Sequence, residues 1–250
     1  MLAAATILGS GGFVPTGRRE TSSLLLLPES GEAAVVVDAG TGLRRLVTNP
    51  ELLRGRRVVH VVLTHFHIDH ICGLPYLTEL VGDREIWVHG PGAALYGTTT
   101  FAILGRIFTQ PVMPVGLLEL GVEVRDIWPG EVELGGVTLR ARRQEKHTDP
   151  TLALRVDDLL TWCTDTEADP KNAELARGCR VLAYDAWGPP AAPGHPTPAE
   201  AAQVAKEAGV EHLLLIHVPP RADEERMMRD AQTVFPRVTV ATDELDLLAL

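Results

Sequence analysis

Short runs of apolar and β-branched residues recur along the chain, and Gly, Pro and polar residues separate each run from the next. Runs of this length and composition are typical of buried strands. We therefore predict strands at Ala3–Leu8, Ser22–Leu27, Ala33–Val37, Arg57–Leu63, Glu85–His89, Val122–Ile127, Val132–Leu134, Val137–Arg142, Leu152–Val156, Leu159–Thr164, Arg180–Tyr184, Glu211–Ile216 and Val238–Ala241.

Helix signals lie between and after these runs. The clearest is at Thr197, which can cap a helix that has Pro198 in its first turn and Glu200 completing a capping box. We predict helices at Thr41–Thr48, Leu74–Val81, Pro170–Arg177, Thr197–Ala208 and Ala222–Val234. The strands fall into two runs with helices outside them, which predicts a mixed α/β (α+β) fold of two facing sheets flanked by helices. We see no repeat and no clear linker, so we expect a single domain over residues 1–250.

Composition narrows the class of protein. Hydrophobic residues make up 45% of the chain, enough for a substantial core, and the formal net charge is −10. An acidic body disfavours sequence-independent nucleic-acid binding, which depends on clustered Lys and Arg. The 3 cysteines are isolated, as is typical of reduced thiols in a cytosolic protein. The first residues resemble a strand rather than a signal peptide, and no apolar run approaches the length of a membrane span. We therefore predict a cytoplasmic protein without membrane contact.

The strongest candidate for chemistry directly follows the predicted strand Arg57–Leu63. His65, His67, Asp69 and His70 lie within one short stretch there. Because successive residues at a strand's end point to opposite sides, the side chains of His65 and His67 point the same way. Three imidazoles and one carboxylate suit zinc or a similar ion. The stretch therefore predicts a metal site in a loop at the end of this strand.

The spacing His65-x-His67-x-Asp69-His70 resembles the HxHxDH signature of the metallo-β-lactamase superfamily. That family pattern has further ligands downstream, and His147, Asp165 and His217 stand at the corresponding places. The resemblance implies a four-layer αβ/βα sandwich with two divalent ions, zinc or else manganese or iron, at the edge between the sheets. It also implies which residues bind the ions: His65, His67 and His147 hold one, Asp69, His70 and His217 hold the other, and Asp165 bridges them. Asp38 is a candidate for orienting a ligand histidine.

Other runs resemble the ribonuclease Z and related phosphodiesterase branch of that superfamily. They are Leu8–Gly12 with Pro15-Thr16, Ser22–Leu25, Val37–Gly40, Gly194–Thr197 and Leu214–Arg221. In that branch a histidine assists catalysis with an acidic partner, and His195 and Asp185 match these positions, although Asp185 stands where Glu is usual. His195 lies in a loop with four prolines, Pro189, Pro190, Pro193 and Pro196, that we expect to be stiff. Pro196 replaces the usual Ser.

The resemblance implies a hydrolase, with Asp69, His195 and Asp185 as its candidate catalytic residues. We expect a phosphodiesterase in which a metal-bound hydroxide attacks a small phosphodiester or cyclic nucleotide. Residues 97–146 hold no extended Lys-rich arm for gripping transfer RNA, so that partner is not expected. Cleavage at the 3′ end of transfer RNA stays an alternative. So does a lactone, thioester or β-lactam hydrolase of the same fold.

Two further interpretations concern the rest of the molecule. Residues 97–118 mix Gly, Thr and Pro with scattered apolar side chains, and they form either a lid or an oligomer contact. From the family resemblance and the apolar segment 101–118 we predict a homodimer. A non-enzymatic scaffold protein is disfavoured, because the whole ligand set is present.

Overall fold

The computed structural model describes residues 1–116, 119, 121–188 and 192–250 of the chain. Within these residues, thirteen strands form two sheets. The strands are β1 (Leu2–Gly9), β2 (Ser23–Pro28), β3 (Ala33–Val37), β4 (Val58–Val62), β5 (Glu85–Gly90), β6 (Val122–Asp126), β7 (Gly130–Leu134), β8 (Val137–Gln144), β9 (Thr151–Val156), β10 (Leu160–Cys163), β11 (Val181–Asp185), β12 (His212–Ile216) and β13 (Val238–Val240). Each predicted strand is confirmed, with ends that differ by at most two residues.

Each sheet contains a parallel half that directs its loops to one edge. The first sheet has the order β1-β2-β3-β4-β5-β6, and its strands from β3 to β6 are parallel. The second has the order β13-β12-β11-β10-β9-β8-β7, with β10 to β13 parallel. Because the carboxyl ends of parallel strands meet at the same edge, the loops after them are neighbours there.

Seven described α-helices surround the two sheets. They are α1 (Arg44–Thr48), α2 (Ile68–Ile71), α3 (Gly92–Tyr96), α4 (Thr100–Ile107), α5 (Pro170–Ala176), α6 (Pro198–Ala208) and α7 (Glu224–Gln232). The capping box predicted at Thr197 and Glu200 is confirmed, since each side chain accepts a hydrogen bond from the other residue's backbone N–H. Among the described helices, none has both the length and the apolar character to cross a membrane.

Three groups of buried side chains fill the layers. The inner group lies between the sheets and includes Leu24 from the first sheet and Trp162 from the second. A second group packs α1 and α4 onto the first sheet through Leu46 and Leu104. The third group packs α5, α6 and α7 onto the second sheet. This order of helices, sheet, sheet and helices is the predicted four-layer αβ/βα sandwich.

One local prediction was wrong. The segment predicted as a helix at Leu74–Val81 is a 3₁₀ helix over Leu74–Glu79. Its buried leucines recur at every third residue, the period of a 3₁₀ helix rather than an α-helix. The segment 97–118 contains α4, which Thr99 caps by accepting a hydrogen bond from the N–H of Ala102. Because 117 and 118 lie outside the described residues, its role as a lid or an oligomer contact stays a prediction.

Candidate metal centre

The histidines and aspartates singled out in the sequence lie together at the edge where the parallel strands end. After β4 the chain enters α2, a single helical turn with His67 at its N-cap and both Asp69 and His70 inside it. These two residues are therefore helical and not in the irregular loop that the sequence predicts. Asp165 and His217 follow β10 and β12, with φ angles of 49° and 55°. Such left-handed backbone is uncommon for residues other than Gly, and it clusters at functional sites.

One cluster of side chains gathers around the Oδ1 atom of Asp165. The Nε2 atom of His147 lies 3.6 Å from that oxygen and 3.3 Å from the Nδ1 atom of His67. The Nε2 atom of His65 lies 3.9 Å from the same Asp165 oxygen. One atom from each of these residues falls within 4.8 Å of the others, so they could hold a single metal ion.

A second cluster gathers around the other oxygen of Asp165. Its Oδ2 atom lies 3.0 Å from the Nε2 atom of His70 and 3.5 Å from that of His217. The Oδ2 atom of Asp69 lies 3.5 Å and 3.2 Å from the same two nitrogens. Asp165 thus points one oxygen at each cluster. The two clusters coincide with the two ligand sets that the family resemblance implies, while ligand binding itself stays a prediction.

The two most buried histidines are held through Asp38. Its carboxylate accepts a hydrogen bond from the Nδ1 atom of His70 at 2.9 Å and from both the N–H and the hydroxyl of Thr64. The hydroxyl of Thr64 lies 3.0 Å from the Nδ1 atom of His65. These contacts fix the rings so that the Nε2 atoms of His65 and His70 point inward. The expectation that Asp38 orients a ligand histidine agrees with this geometry.

The two half-buried histidines of the first cluster also have outward partners. The Nε2 atom of His67 lies 3.4 Å from an oxygen of Asp149, a residue whose side chain is exposed. The Nδ1 atom of His147 donates to the carbonyl oxygen of Gly194 at 3.1 Å. A Cβ added to Gly194 would lie only 2.4 Å from that nitrogen, so this contact requires Gly. Both contacts aim the remaining ring nitrogens at each other across the site.

His195 and Asp185 form a pair beside the second cluster. The Nδ1 atom of His195 donates to the Oδ2 atom of Asp185 at 2.7 Å, and the other oxygen of Asp185 lies 3.6 Å from the Nδ1 atom of His217. The rings of His195 and His217 are stacked, 5.4 Å apart and only 9° from parallel. The indole of Trp187 stacks on His195 at 5.0 Å. The fully buried Asp185 therefore contacts both histidines, as the sequence predicts for His195.

The site is an array of opposite charges. Burial alone would raise the pKa of Asp69 and Asp165, but His70 and His217 override it and hold both carboxyls well below their usual pKa range. Burial would lower the pKa of His70 and His217, yet Asp165, first among their neighbouring carboxylates, raises both. The pKa of His195 is raised because its hydrogen bond to Asp185 outweighs burial. Asp69 and Asp165 therefore favour the ionised form, which can bind a cation.

An unpaired buried nitrogen tests whether a metal fits this arrangement. The Nε2 atom of His65 has no hydrogen-bond partner among the described residues, and its side chain is fully buried. An unpaired buried polar atom is costly unless another group binds it. Imidazole nitrogens and carboxylate oxygens are the ligands that zinc and related divalent ions take. The donor set therefore fits divalent metal ions, which the fold family also implies.

A cleft of about 340 Å³ opens onto both clusters. The described residues that line it are Phe13, His67, Asp69, His147, Thr148, Asp165, Trp187, Ala192, Pro193, His195 and His217. Its volume falls within the range of roughly 300–1,000 Å³ that is usual for small-molecule sites. The arrangement can therefore place a small substrate against the ligand clusters and His195 together.

The structure brings together all the site residues predicted from the sequence. It adds Phe13, Thr64, Asp149 and Trp187, which sequence reasoning missed. Thr64 adjoins His65 in the motif, but only its contact with Asp38 reveals its role. No signal in the sequence indicates the other three. Part of the predicted stiff loop, Pro189 and Pro190, lies outside the described residues.

The sandwich fold, with His and Asp clusters at the edge between its sheets, defines a metal-dependent hydrolase class. Residues 34–218 match the family described as a beta-lactamase superfamily domain. The chain belongs to this superfamily. It is 30% identical to a protein named ribonuclease Z from Methanopyrus kandleri, over 95% of each chain. These findings confirm the predicted superfamily, its ribonuclease Z branch and the hydrolase class.

Solved structures show the same fold. YhfI, a metallo-beta-lactamase fold protein from Bacillus subtilis, has a TM-score of 0.79 and 21% identity, and covers 98% of this chain and 99% of its own. A diphosphatase from the PhnP family has a TM-score of 0.77 and 20% identity, with 97% and 96% coverage. At these identities the similarity establishes the sandwich fold alone.

Proposed function

We propose that the chain is a dinuclear-metal phosphodiesterase that hydrolyses a small phosphodiester, such as a cyclic nucleotide. The observation that carries this proposal is the Asp165 carboxylate, which faces one histidine cluster with each oxygen and has the His195–Asp185 pair beside it. Two divalent ions would activate the attacking water and neutralise charge on the attacking and leaving oxygens. We propose zinc, with manganese or iron as the alternatives, because the ligands are imidazoles and carboxylates.

In this proposal the chain holds the ions in two ligand sets that share one residue. The first set is His65, His67 and His147, the second is Asp69, His70 and His217, and Asp165 bridges them. Asp38 and Asp149 orient the histidines from outside, as carboxylates behind metal-binding imidazoles commonly do. Asp69 also lines the cleft, where its carboxylate can orient the attacking water.

His195 supplies what a phosphodiester needs beyond the ions. Asp185 accepts from its Nδ1 atom and stabilises the imidazolium, in which the opposite ring nitrogen also carries a proton that it can donate. The hydrogen bond to Asp185 raises the pKa of His195, which favours the donating form. In the cleft, that donor can neutralise a phosphoryl or leaving-group oxygen. A lactone, thioester or β-lactam substrate places less negative charge there, so the pair favours a phosphodiester.

Cleavage of transfer RNA is the second candidate function. It is favoured by the similarity to ribonuclease Z over 95% of each chain. Two observations favour a smaller substrate. The net charge of −10 opposes RNA binding. The alignment with that relative runs over 286 positions, more than the 250 residues here, so the relative has inserted residues that this chain lacks.

A substrate panel on metal-loaded protein tests these proposals. The panel contains bis-p-nitrophenyl phosphate, cyclic nucleotides, a transfer-RNA precursor with a 3′ extension, a thioester, a lactone and nitrocefin, and metal content is measured in the same preparation. We expect about two ions per chain and the highest kcat/KM on the small phosphodiesters. Faster turnover of the RNA precursor would establish the second candidate. Hydrolysis of only the thioester, lactone or nitrocefin would overturn the phosphodiesterase proposal.

A further inference from the structure

Phe13 lines the cleft, and the roles proposed above do not use it. The residue is 65% exposed, although an exposed aromatic ring gains nothing for the stability of the fold. Trp187 and Pro193 line the same cleft. An apolar rim thus lies beside a floor of histidines and carboxylates. A substrate that fits both parts carries a phosphate and an apolar, flat group.

The backbone of Phe13 is held in an unfavourable conformation by the site itself. Its φ angle is 66°, in the left-handed region that bulky residues rarely adopt. Its N–H donates to the Oδ2 atom of Asp69 at 2.8 Å, and the preceding Gly12 donates to the carbonyl oxygen of Val218 at 3.0 Å. Such strain persists where the surroundings impose it, and it concentrates at functional sites. These contacts fix the start of the Phe13 side chain relative to the ligand clusters.

We propose that Phe13 is a specificity-determining residue, which stacks on a planar ring carried by the substrate next to its phosphate. This inference rests on the proposed phosphodiesterase function and names its substrate class: phosphodiesters that bear a nucleobase. Trp187 has a different task, because its indole already stacks on His195. Stacking of a base on an aromatic side chain tolerates any base, because every base has a π-face. The subsite therefore selects for a ring and not for a particular sequence.

Two ligands that differ by a single ring isolate this contact. Adenosine 5′-monophosphate and ribose 5-phosphate share the sugar and the phosphate, and only the first carries a base. Calorimetry on metal-loaded protein measures the Kd of each, independently of turnover. For the wild-type chain we expect roughly tenfold or tighter binding of the nucleotide, the scale of one base stacked on one aromatic ring.

Variants in this loop then test whether Phe13 causes the preference for the nucleotide. In Phe13→Ala the nucleotide should lose its advantage while ribose 5-phosphate keeps its Kd, because the backbone N–H to Asp69 remains. Phe13→Tyr should restore the preference. Val14→Ala is the matched control, since Val14 is 40% exposed in the same loop and is not among the described residues that line the cleft. Metal content should be unchanged in every variant.

The outcomes distinguish failure of this inference from failure of the phosphodiesterase proposal on which it rests. Equal affinity of the wild-type protein for both ligands, or a nucleotide preference that survives Phe13→Ala, would refute the aromatic subsite alone. A protein that loads metal, binds neither ligand and leaves bis-p-nitrophenyl phosphate intact would refute the phosphodiesterase proposal and the subsite with it.

Discussion

At the scale of single residues, Asp185 contacts both the proposed proton donor, His195, and a proposed metal ligand, His217. One of its oxygens accepts from His195 and the other faces His217 at 3.6 Å. Asp185 is fully buried, and its carboxylate contacts both of these rings. A single carboxylate therefore positions both the proposed proton donor and a proposed metal ligand. Effects of substitution at Asp185 should appear in turnover first and in metal affinity second.

Replacing His195 tests the proton donor. His195→Ala should lower kcat on a phosphodiester by about 10²–10³-fold, as happens when one preorganised donor to a transition state is lost. KM should change less, because ground-state binding rests mainly on the metal ions. Asp185→Asn should act in the same direction but more weakly, since a neutral amide stabilises the imidazolium less. Steady-state kinetics on metal-replete protein measures both.

His212→Ala is a suitable control for this experiment. His212 lies on β12 and bonds Thr239, outside the described cleft. Its loss should leave kcat within about twofold of wild type, as expected for a residue that touches no reacting atom. A His195→Ala enzyme with wild-type kcat would remove the proton donor and most of the case for a phosphodiester over a thioester or lactone.

Replacing Asp165 tests the bridging carboxylate. Asp165→Ala should lose both ions more readily than His147→Ala, because Asp165 faces both clusters and His147 faces one. Elemental analysis after dialysis gives the ions per chain. Asp165→Asn controls for the left-handed backbone, which Asn tolerates well. Retention of two ions by Asp165→Ala would show that the bridging role is wrong.

The residues that the sequence could predict are those whose spacing carries information. His65, His67, Asp69 and His70 follow one strand in a recognisable pattern, and strand ends indicate where the later ligands belong. Asp149 and Trp187 could not be predicted, because their contacts join loops that are distant in the chain. The contact between His67 and Asp149 spans more than eighty residues. Nothing in the local sequence distinguishes that aspartate from a solvated one.

At the scale of elements, α6 begins two residues after Pro196 and thereby anchors the loop that carries His195. Thr197→Ala removes the hydroxyl that accepts from the N–H of Glu200. We expect a loss of about 1 kcal/mol in the free energy of unfolding, which is typical of a lost N-cap. Chemical denaturation of metal-free protein measures it. Gln203→Ala, on the exposed face of the same helix, should cost less than half as much, and equal losses would contradict the capping argument.

The adjacent strands β4 and β5 carry a histidine pair that should make stability depend on pH. The Nδ1 atom of His60 lies 3.1 Å from the Nε2 atom of His89. Burial and, to a smaller extent, the nearby His60 and Arg125 together lower the pKa of His89 to about 4. The unfolded chain takes up this proton near pH 6.5, but the folded chain does so only near pH 4. The contribution of His89 to the free energy of unfolding is therefore fully present above pH 6.5. It is lost as the pH drops toward 4, by at most about 3 kcal/mol.

His89→Gln should flatten this dependence, because the substituted side chain does not titrate. The comparison is the difference in unfolding free energy between the two metal-free proteins, measured at pH 7 and again near pH 4.5. Wild type should lose more than the variant over this interval. Identical losses in the two proteins would show that His89 is not buried in its neutral form.

The strands could be predicted because short apolar runs bounded by Gly and Pro usually form buried strands. The elements that were missed or assigned wrongly are short ones. Leu74–Glu79 has leucines at a spacing of three, which differs from the α-helical period by less than one residue per turn. In α4, Gly105 and the surrounding Thr residues weaken the helix signal in the sequence. The stability of this helix comes from its packing on the first sheet.

At the scale of the whole molecule, the homodimer and the single domain over residues 1–250 stay predictions. Phe101 and Val112, in the segment expected to pair, are 46% and 69% exposed. Burial of such side chains in a partner would stabilise a dimer. Light scattering at micromolar concentration should give about twice the chain mass of 27.1 kDa. A species of 27.1 kDa would contradict the dimer.

Each of the two ligand clusters combines residues from both halves of the chain. The first sheet, β1 to β6, and the second, β7 to β13, are formed by consecutive halves of the sequence. Each cluster takes ligands from both halves: His65 and His67 face His147, while His70 faces His217. Neither half contains a complete site. If the chain were cut between β6 and β7 and the fragments were mixed, recovery of metal binding would report that the halves had reassembled.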